Sequence, residues 1–358
     1  MSEPTKPETL DRVLDAVLAR AADEPVDFDV AAGRTALATA LKARAEEPAE
    51  VPAAVGAGRR PRRRTRWLAA AAAVAVLTGG ALVASTVDLT GVGSNSATAA
   101  EELIRAADLA SRVVERPLSP GQYRYVRSRY AGITVELGST KAWSSEQTTE
   151  QWIPADRRDE WLIKFSVKAP EWLDGHEGDG TPDGGRFKDG QEFRGKCGKY
   201  SYYAEGQQDR CTAGSFSNPT PEFIASLPKD PKELYATLKE EGHTDDSGVL
   251  TSARAALQSG QFPAEVRANI FRALALLPGL VVTDKKANLD GKEGVALGIK
   301  SYDNFTEIIV DPENGDFIGG RDTVAEDQPD DEGGLEKGTV RQSYAVTSAV
   351  VDSLGARP

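Results

Sequence analysis

The chain has 358 residues, a formal net charge of −12, two histidines and two cysteines. That length exceeds one small domain. The acidity speaks against nucleic acid as a partner, and the scarcity of histidine and cysteine speaks against a four-ligand zinc site.

Residues 1–58 carry eleven acidic and six basic groups. Leu10, Val13, Leu14, Val17, Leu18 and Ala21 recur at i, i+3, i+4, i+7 spacing, which predicts an amphipathic helix over residues 9–22 ended by Asp23-Glu24-Pro25. A second helix is expected from Asp29 to Ala45, with Asp29 as N-cap. Two short helices with single apolar stripes bury little by themselves, so residues 9–45 are a candidate docking element for a cytosolic protein. Residues 46–58 are rich in Glu, Pro, Ala and Gly and read as a linker.

Residues 59–66 form a basic collar: Arg59, Arg60, Arg62, Arg63, Arg64 and Arg66. Trp67 opens a stretch without a charged residue that runs to Val87. A helix rises about 1.5 Å per residue, so a ~30 Å hydrocarbon core needs about 20 apolar residues. Backbone groups in lipid must be satisfied within the segment, which selects helix. Lys and Arg are retained on the cytoplasmic side, so the expected topology is amino terminus inside, carboxyl terminus outside, with Arg62, Arg63, Arg64, Arg66 and Trp67 anchoring the chain in the lipid bilayer. A buried core helix explains the arginine collar poorly. A cleaved signal peptide, for which Ala97-Thr98-Ala99 offers an A-x-A site, does not suit a 66-residue leader. The protein is thus expected in the cell membrane as a single-pass protein, with residues 88–97 as a tether and 98–358 as one extracytoplasmic domain.

Beyond the tether, Thr98 and Glu101 make a capping box ahead of a helix of roughly 98–115. The period then changes. Tyr123, Tyr125, Arg127 and Arg129 alternate with Arg124, Val126, Ser128 and Tyr130, and Lys141 to Ile153 and Asp159 to Val167 continue in the same manner, an antiparallel meander. Residues 170–220 are Gly-, Asp-, Lys- and Pro-rich and hold both cysteines, Cys197 and Cys211. Cysteines confined to the outer part suit a disulfide, which closes a loop of about 15 residues and contributes ~3 kcal/mol in the chain-entropy model. This stretch is either a binding loop or a stapled surface excursion.

Helices follow: Pro221 to Leu227; one opened by Asp230-Pro231-Lys232-Glu233 (N-cap, Pro at N1, capping Glu) and stopped by Gly242; Val249 to Leu257; and Pro263 to Leu277. Strands return at Leu280 to Ala287, Glu293 to Lys300, Phe305 to Val310 and Asp316 to Val324. They are joined by Asp290-Gly291, Asp303-Asn304 and Asp311-Pro312-Glu313-Asn314-Gly315. Residues 325–336 form an acidic loop, and Gly338 to Val350 is a last long strand. Strands grouped apart from helices indicate an α+β domain with helices on one face of an antiparallel sheet.

Reaction machinery is sparse. No nucleophile elbow, P-loop, H-E-x-x-H or dinucleotide fingerprint is present, and nothing implies a cofactor or metal. His176 and His243 lie in acidic loops and read as surface residues. Tyr123, Tyr125, Trp143, Trp152 and Trp161 are candidates to line an apolar cavity, or to pack between sheet and helices.

The arginine collar with its Ala/Val span, Ala99-Ala100-Glu101-Glu102-Leu103, Pro120-Gly121-Gln122-Tyr123-Arg124-Tyr125, Asp230-Pro231-Lys232-Glu233-Leu234-Tyr235, the Arg267 to Pro278 helix and Asp311-Pro312-Glu313-Asn314-Gly315 together resemble a family of actinobacterial single-pass membrane proteins. The outer part also resembles the lipoprotein-carrier half-barrel, a curved antiparallel sheet with helices across its concave face. That resemblance implies the fold, and either an apolar ligand held by the sheet or a sensing domain of the kind found on membrane-bound anti-sigma regulators. The paired cysteines and histidine of zinc-type anti-sigma proteins are absent from residues 1–58. The expectation is a non-enzymatic, membrane-tethered binding or sensing protein, or alternatively a tethered lipid or acyl-chain carrier.

Overall fold

The structure, a computed structural model, describes residues 86–89, 96–136, 138–203, 210–241, 245–329 and 333–358. The helices expected in residues 9–45, the collar with Arg62, Arg63, Arg64, Arg66 and Trp67, and the span up to residue 85 lie outside the described residues. Among the described residues no helix is long and apolar enough to cross a membrane.

Strands β1 (Tyr123–Val135), β2 (Ala142–Pro154) and β3 (Glu160–Val167) form the meander expected from their alternation. β4 (Glu171–Trp172) and β5 (Glu192–Lys196) lie inside the stretch read as a loop. β5 carries one apolar side chain large enough to signal a strand, Phe193, so its sequence shows no period. Four further strands, β6 (Val281–Leu289), β7 (Lys292–Ser301), β8 (Asn304–Val310) and β9 (Phe317–Val324), make a second meander. β10 (Val340–Val351) lies between the two meanders, antiparallel to β1 on one side and β9 on the other. The result is one sheet of order β5-β3-β2-β1-β10-β9-β8-β7-β6, with β4 paired to β2.

Five helices complete the described part: α1 (Ser96–Ala110), α2 (Pro221–Ser226), α3 (Pro231–Glu241), α4 (Asp246–Gln258) and α5 (Ala264–Leu274). Their starts follow local chemistry. Asp230 Oδ1 accepts from the N–H groups of Lys232 and Glu233 at 2.9 and 3.2 Å, and Asp245 Oδ1 accepts from Gly248 N–H at 2.6 Å. α1 begins two residues before the expected cap and ends at Ala110, short of the expected 115. α1, α3, α4 and α5 bury Leu103, Leu234, Leu238, Leu250, Ile270, Phe271 and Leu274 against Val295, Leu297, Ile299, Ile308 and Val310 of β7 and β8.

The other face of those strands does not meet solvent. Ala287, Leu289, Ala296, Ile309, Ile318 and Ala345 form a separate buried cluster there, and β6 comes back into contact with β10 across it. Gly319 makes that return feasible: a Cβ at this position would collide with the Tyr344 carbonyl oxygen and the Leu289 side chain. The Asp290-Gly291 hairpin turn has both residues at positive φ, 53° and 82°, as a type I′ turn requires. It carries Asp290 across to β1, where Arg127 and Arg129 bind its two oxygens at 3.0 and 2.6 Å. The sheet therefore curls around the face turned away from the helices. This corrects the expectation of helices laid across a concave, ligand-holding face.

Inside the curl lies a charged group with no exposure at all, the Glu307 carboxylate. Arg321 donates to it from Nε at 2.8 Å and from a terminal nitrogen at 3.2 Å; Thr323 Oγ1 donates at 2.5 Å and Thr283 Oγ1 is also bonded to it. Asp284 takes a further Arg321 N–H at 3.3 Å. Burial works against the Arg321 charge, but Glu307 and Asp284 outweigh it and hold the guanidinium protonated. Replacing Arg321 by Leu leaves a buried carboxylate without its counter-charge. The expected cost is about 3–5 kcal/mol in chemical unfolding at neutral pH, with much of it recovered when Glu307 is changed to Gln in the same chain.

Candidate functional site

The five aromatic residues singled out from sequence do not gather in one place. Tyr125 and Trp152 sit on the inner side of the curl, rings 5.3 Å apart, with Leu162 and Val351. Tyr123, Leu354 and Ala356 pack against them, and Trp152 Nε1 donates to the Ala356 carbonyl at 2.5 Å. Trp161 faces the helical side with Ile153, Ile163, Phe165 and Tyr200; its Nε1 donates to the Arg157 carbonyl at 2.8 Å. Trp143 stacks edge-on against Trp172 of β4 at 5.6 Å. Tyr125, Trp152 and Trp161 are buried by the protein's own side chains, so these positions are packing, on two faces of one sheet.

The disulfide is present: Cys197 and Cys211 are bonded, with Cα atoms 5.1 Å apart. It closes the loop holding Tyr200, Tyr202 and Tyr203, which stack with Phe165, Phe187 and Phe193 into one aromatic cluster. His176 Nδ1 lies 2.7 Å from the Thr140 carbonyl and serves a turn.

A different place has the makings of a site. The β1–β10 ladder stops at Gly132↔Gln342, while β1 stays paired with β2 to Val135↔Ala142. The last three residues of β1 therefore part from β10. At the same level β10 has a register irregularity against β9 between Val340 and Gln342, which puts Arg341 on the bulge. A cleft of about 530 Å³ fills the gap, lined by Ile133–Val135, Ser301, Tyr302, Asn304, Thr306, Asp322, Arg341 and Gln342. Tyr302 is 89% exposed on a backbone with φ of 51°, an uncommon conformation for a tyrosine. Asn304 Oδ1 is buried with no hydrogen-bond partner, and Arg341 makes no ion pair among the described residues. Asp322 is committed, receiving Arg254 at 2.5 Å and bonded to Gln342, whose Oε1 takes the Tyr344 hydroxyl at 2.9 Å. The cleft offers a ligand a cation, an orphan acceptor and an exposed ring. No sequence signal marks it, because its residues come from five strands.

The segment leading out of the expected span reaches the same corner. Thr86 bridges Thr339, and Val87 N–H donates to the Gly338 carbonyl at 2.7 Å. Gly338 and Thr339 are tied on their other side to Val324. Gly338 has φ of 87°, and a Cβ there would collide with the Val87 carbonyl oxygen. Leu89 is buried. Thr86 and Val87, assigned from sequence to the end of the span, and Asp88 and Leu89, assigned to a tether, are thus a short clip held by the domain beside the cleft.

No protein-family model matches the chain, and no curated protein does. Among solved structures the chain is similar to the complex of Pseudomonas aeruginosa MucA/MucB, at 12% identity and a TM-score of 0.26, over 73% of this chain and 58% of that one. At that score the likeness carries no argument. What the coordinates define by themselves is the class: an α+β domain with a large antiparallel sheet, one disulfide and an amino-terminal clip.

Three carboxylates on the inner side of the curl tie distant segments together. Burial alone would raise Glu150, but hydrogen bonds from Arg357 at 2.5 and 2.6 Å and from Tyr125 at 2.7 Å outweigh it and hold it below the usual carboxylate range. Glu146 and Asp290 are likewise raised by burial and lowered further by Arg129 with Lys168, and by Arg129 with Arg127. A carboxyl whose folded pKa is depressed stabilises the fold above its unfolded value, and that contribution is lost as pH falls through the folded pKa. The melting temperature is expected to hold from pH 7 to about 5 and to fall below about pH 4, with a shallower fall in Glu150→Gln.

Proposed function

We propose that this chain is a single-pass membrane protein whose outer domain binds a polar ligand and whose cytoplasmic residues 9–45 engage a cytosolic protein, a regulatory role without a chemical step. The supporting observation is the clip. Thr86 and Val87, the last two residues of the arginine-flanked apolar stretch, pair with Gly338–Thr339, two residues from Arg341 in the cleft. A ligand that moved β10 at its bulge would act directly on the segment joined to the span. Such a ligand shifts the equilibrium only by its differential affinity for clipped and unclipped states.

The disulfide supports an oxidising compartment for the domain, and the collar supports an amino terminus inside. A tethered lipid carrier has less support, because three of the five aromatic positions expected to line its cavity, Tyr125, Trp152 and Trp161, are buried in the protein's own core.

Alkaline phosphatase fused at the carboxyl end should be active and green fluorescent protein at the amino end fluorescent; the reverse pattern refutes the topology. Gly338→Val should release the clip, seen as faster proteolysis or hydrogen exchange at residues 86–89, while the disulfide-bearing half stays protected. If residues 86–89 keep their protection, the clip plays no such part. A pull-down with residues 1–58 that recovers no partner removes the regulatory reading.

A further inference from the structure

The turn between β2 and β3 and the disulfide loop meet at one amide, and the α4–α5 connection joins them through Gln261, which binds Arg157. Arg157 and Arg210 both donate to Asn218 Oδ1, at 3.3 and 3.0 Å. The Asn218 amide nitrogen is spent on the Arg210 and Ala213 carbonyls, so the residue is locked in place and 4% exposed. Arg157 also donates to Gln261 Oε1. The Arg157 guanidinium lies 4.6 Å above the Trp161 ring and that of Arg210 5.1 Å from the Tyr203 ring.

Two like charges drawn together in a partly buried place repel, and the arrangement is ordinarily balanced by a carboxylate. Here none serves. Among the described residues neither arginine forms an ion pair; Glu222 acts on Arg157 only from a distance. One neutral amide oxygen is the shared acceptor. Each guanidinium has five N–H donors, and these bonds use few of them. The Arg210 Nε is buried with no partner. Burial, and then the neighbouring Arg210 charge, bring the Arg157 guanidinium down to about 10. The Trp161 and Tyr203 rings hold the two guanidiniums in place, and arginine grips planar or tetrahedral oxyanions through N–H donors of this kind.

We infer that Arg157 and Arg210, converging on Asn218 with no carboxylate between them among the described residues, form a binding site for a small oxyanion: a phosphate, sulfate or carboxylate group. The site is separate from the cleft beside the clip, and stands whether or not the regulatory reading holds. Its second arginine is adjacent to Cys211, so the disulfide positions half of the site.

The test is calorimetric titration of the full chain in detergent micelles with inorganic phosphate, sulfate and acetate, chloride being the background ion. Saturable binding is expected, with a dissociation constant on the order of 1 mM or tighter. Arg157→Gln and Arg210→Gln should each weaken it at least about tenfold. Arg157→Lys, which keeps the charge and loses the fork, should also weaken it, whereas Arg158→Gln, an exposed neighbour paired with Asp156, should bind as the parent does. Thermal unfolding of each variant separates lost binding from lost fold; reduction of the disulfide supplies a second way to disturb the site without changing either arginine. Saturation by free phosphate assigns a soluble ligand, while saturation only by phosphatidylglycerol nanodiscs assigns a lipid headgroup to the same two arginines. Heats that never saturate with any probe, or equal affinity in the folded Arg157→Gln and Arg210→Gln chains, would overturn the assignment and leave the pair as a tie between loops.

Discussion

The Glu307 carboxylate, sealed from solvent and held by Arg321, Thr323 and Thr283, is the interaction on which the described fold turns. An ion inside a protein is tolerated only when its lone pairs are filled and its charge is matched. Those conditions can be met here only if β6, β8 and β9 are brought together, since Thr283 comes from the first, Glu307 from the second, and Arg321 and Thr323 from the third. A flat sheet would leave Thr283 two strands away from Glu307. The curl is therefore specified by a polar requirement as much as by the small apolar cluster of Ala287, Ala296 and Ala345 beside it.

From that curl the rest follows in steps. Closing the inner face against itself leaves the outer face of β7 and β8 for the helices, which cover it completely. β10 joins the two meanders, pairing with β1 on one side and β9 on the other. There the ladder ends early, a bulge forms, and the cleft with Arg341 and Asn304 opens. The amino-terminal clip docks at the same weak point, where Gly338 and Thr339 still have a free edge. Site and clip are neighbours because both use the backbone that the two meanders fail to pair.

The legible parts were local. Alternation in Tyr123 to Tyr130 read as a strand with two faces, and the faces are as expected. Asp290-Gly291 read as a tight hairpin turn, and both residues take positive φ. Asp230 and Asp245 begin helices by accepting backbone N–H groups, the first of them anticipated by its capping box. The cysteine pair read as a bridge on grounds of compartment and composition. β5 was missed because Phe193 is its one large apolar residue, and its Gly195, which pairs with Trp161 of β3, has no side chain to mark a period. The aromatic residues, read as either a cavity lining or packing, are packing in two groups: Trp152 and Trp161 are near in sequence, but their strand positions send them to opposite faces.

Sequence by itself determined the parts: an arginine-flanked apolar stretch, an acidic portion after it, an α+β order of elements, and the turns between neighbouring strands. These depend on contacts within about a dozen residues, where helix period, strand period and capping operate. Tertiary structure alone decided that the last strand would lie against the first, that the helices would sit outside the curl, and that Arg157 would meet Arg210. Those pairings join residues as far apart as Tyr123 and Val351, and their energies come from burial and charge matching across the assembled sheet, which no local pattern encodes.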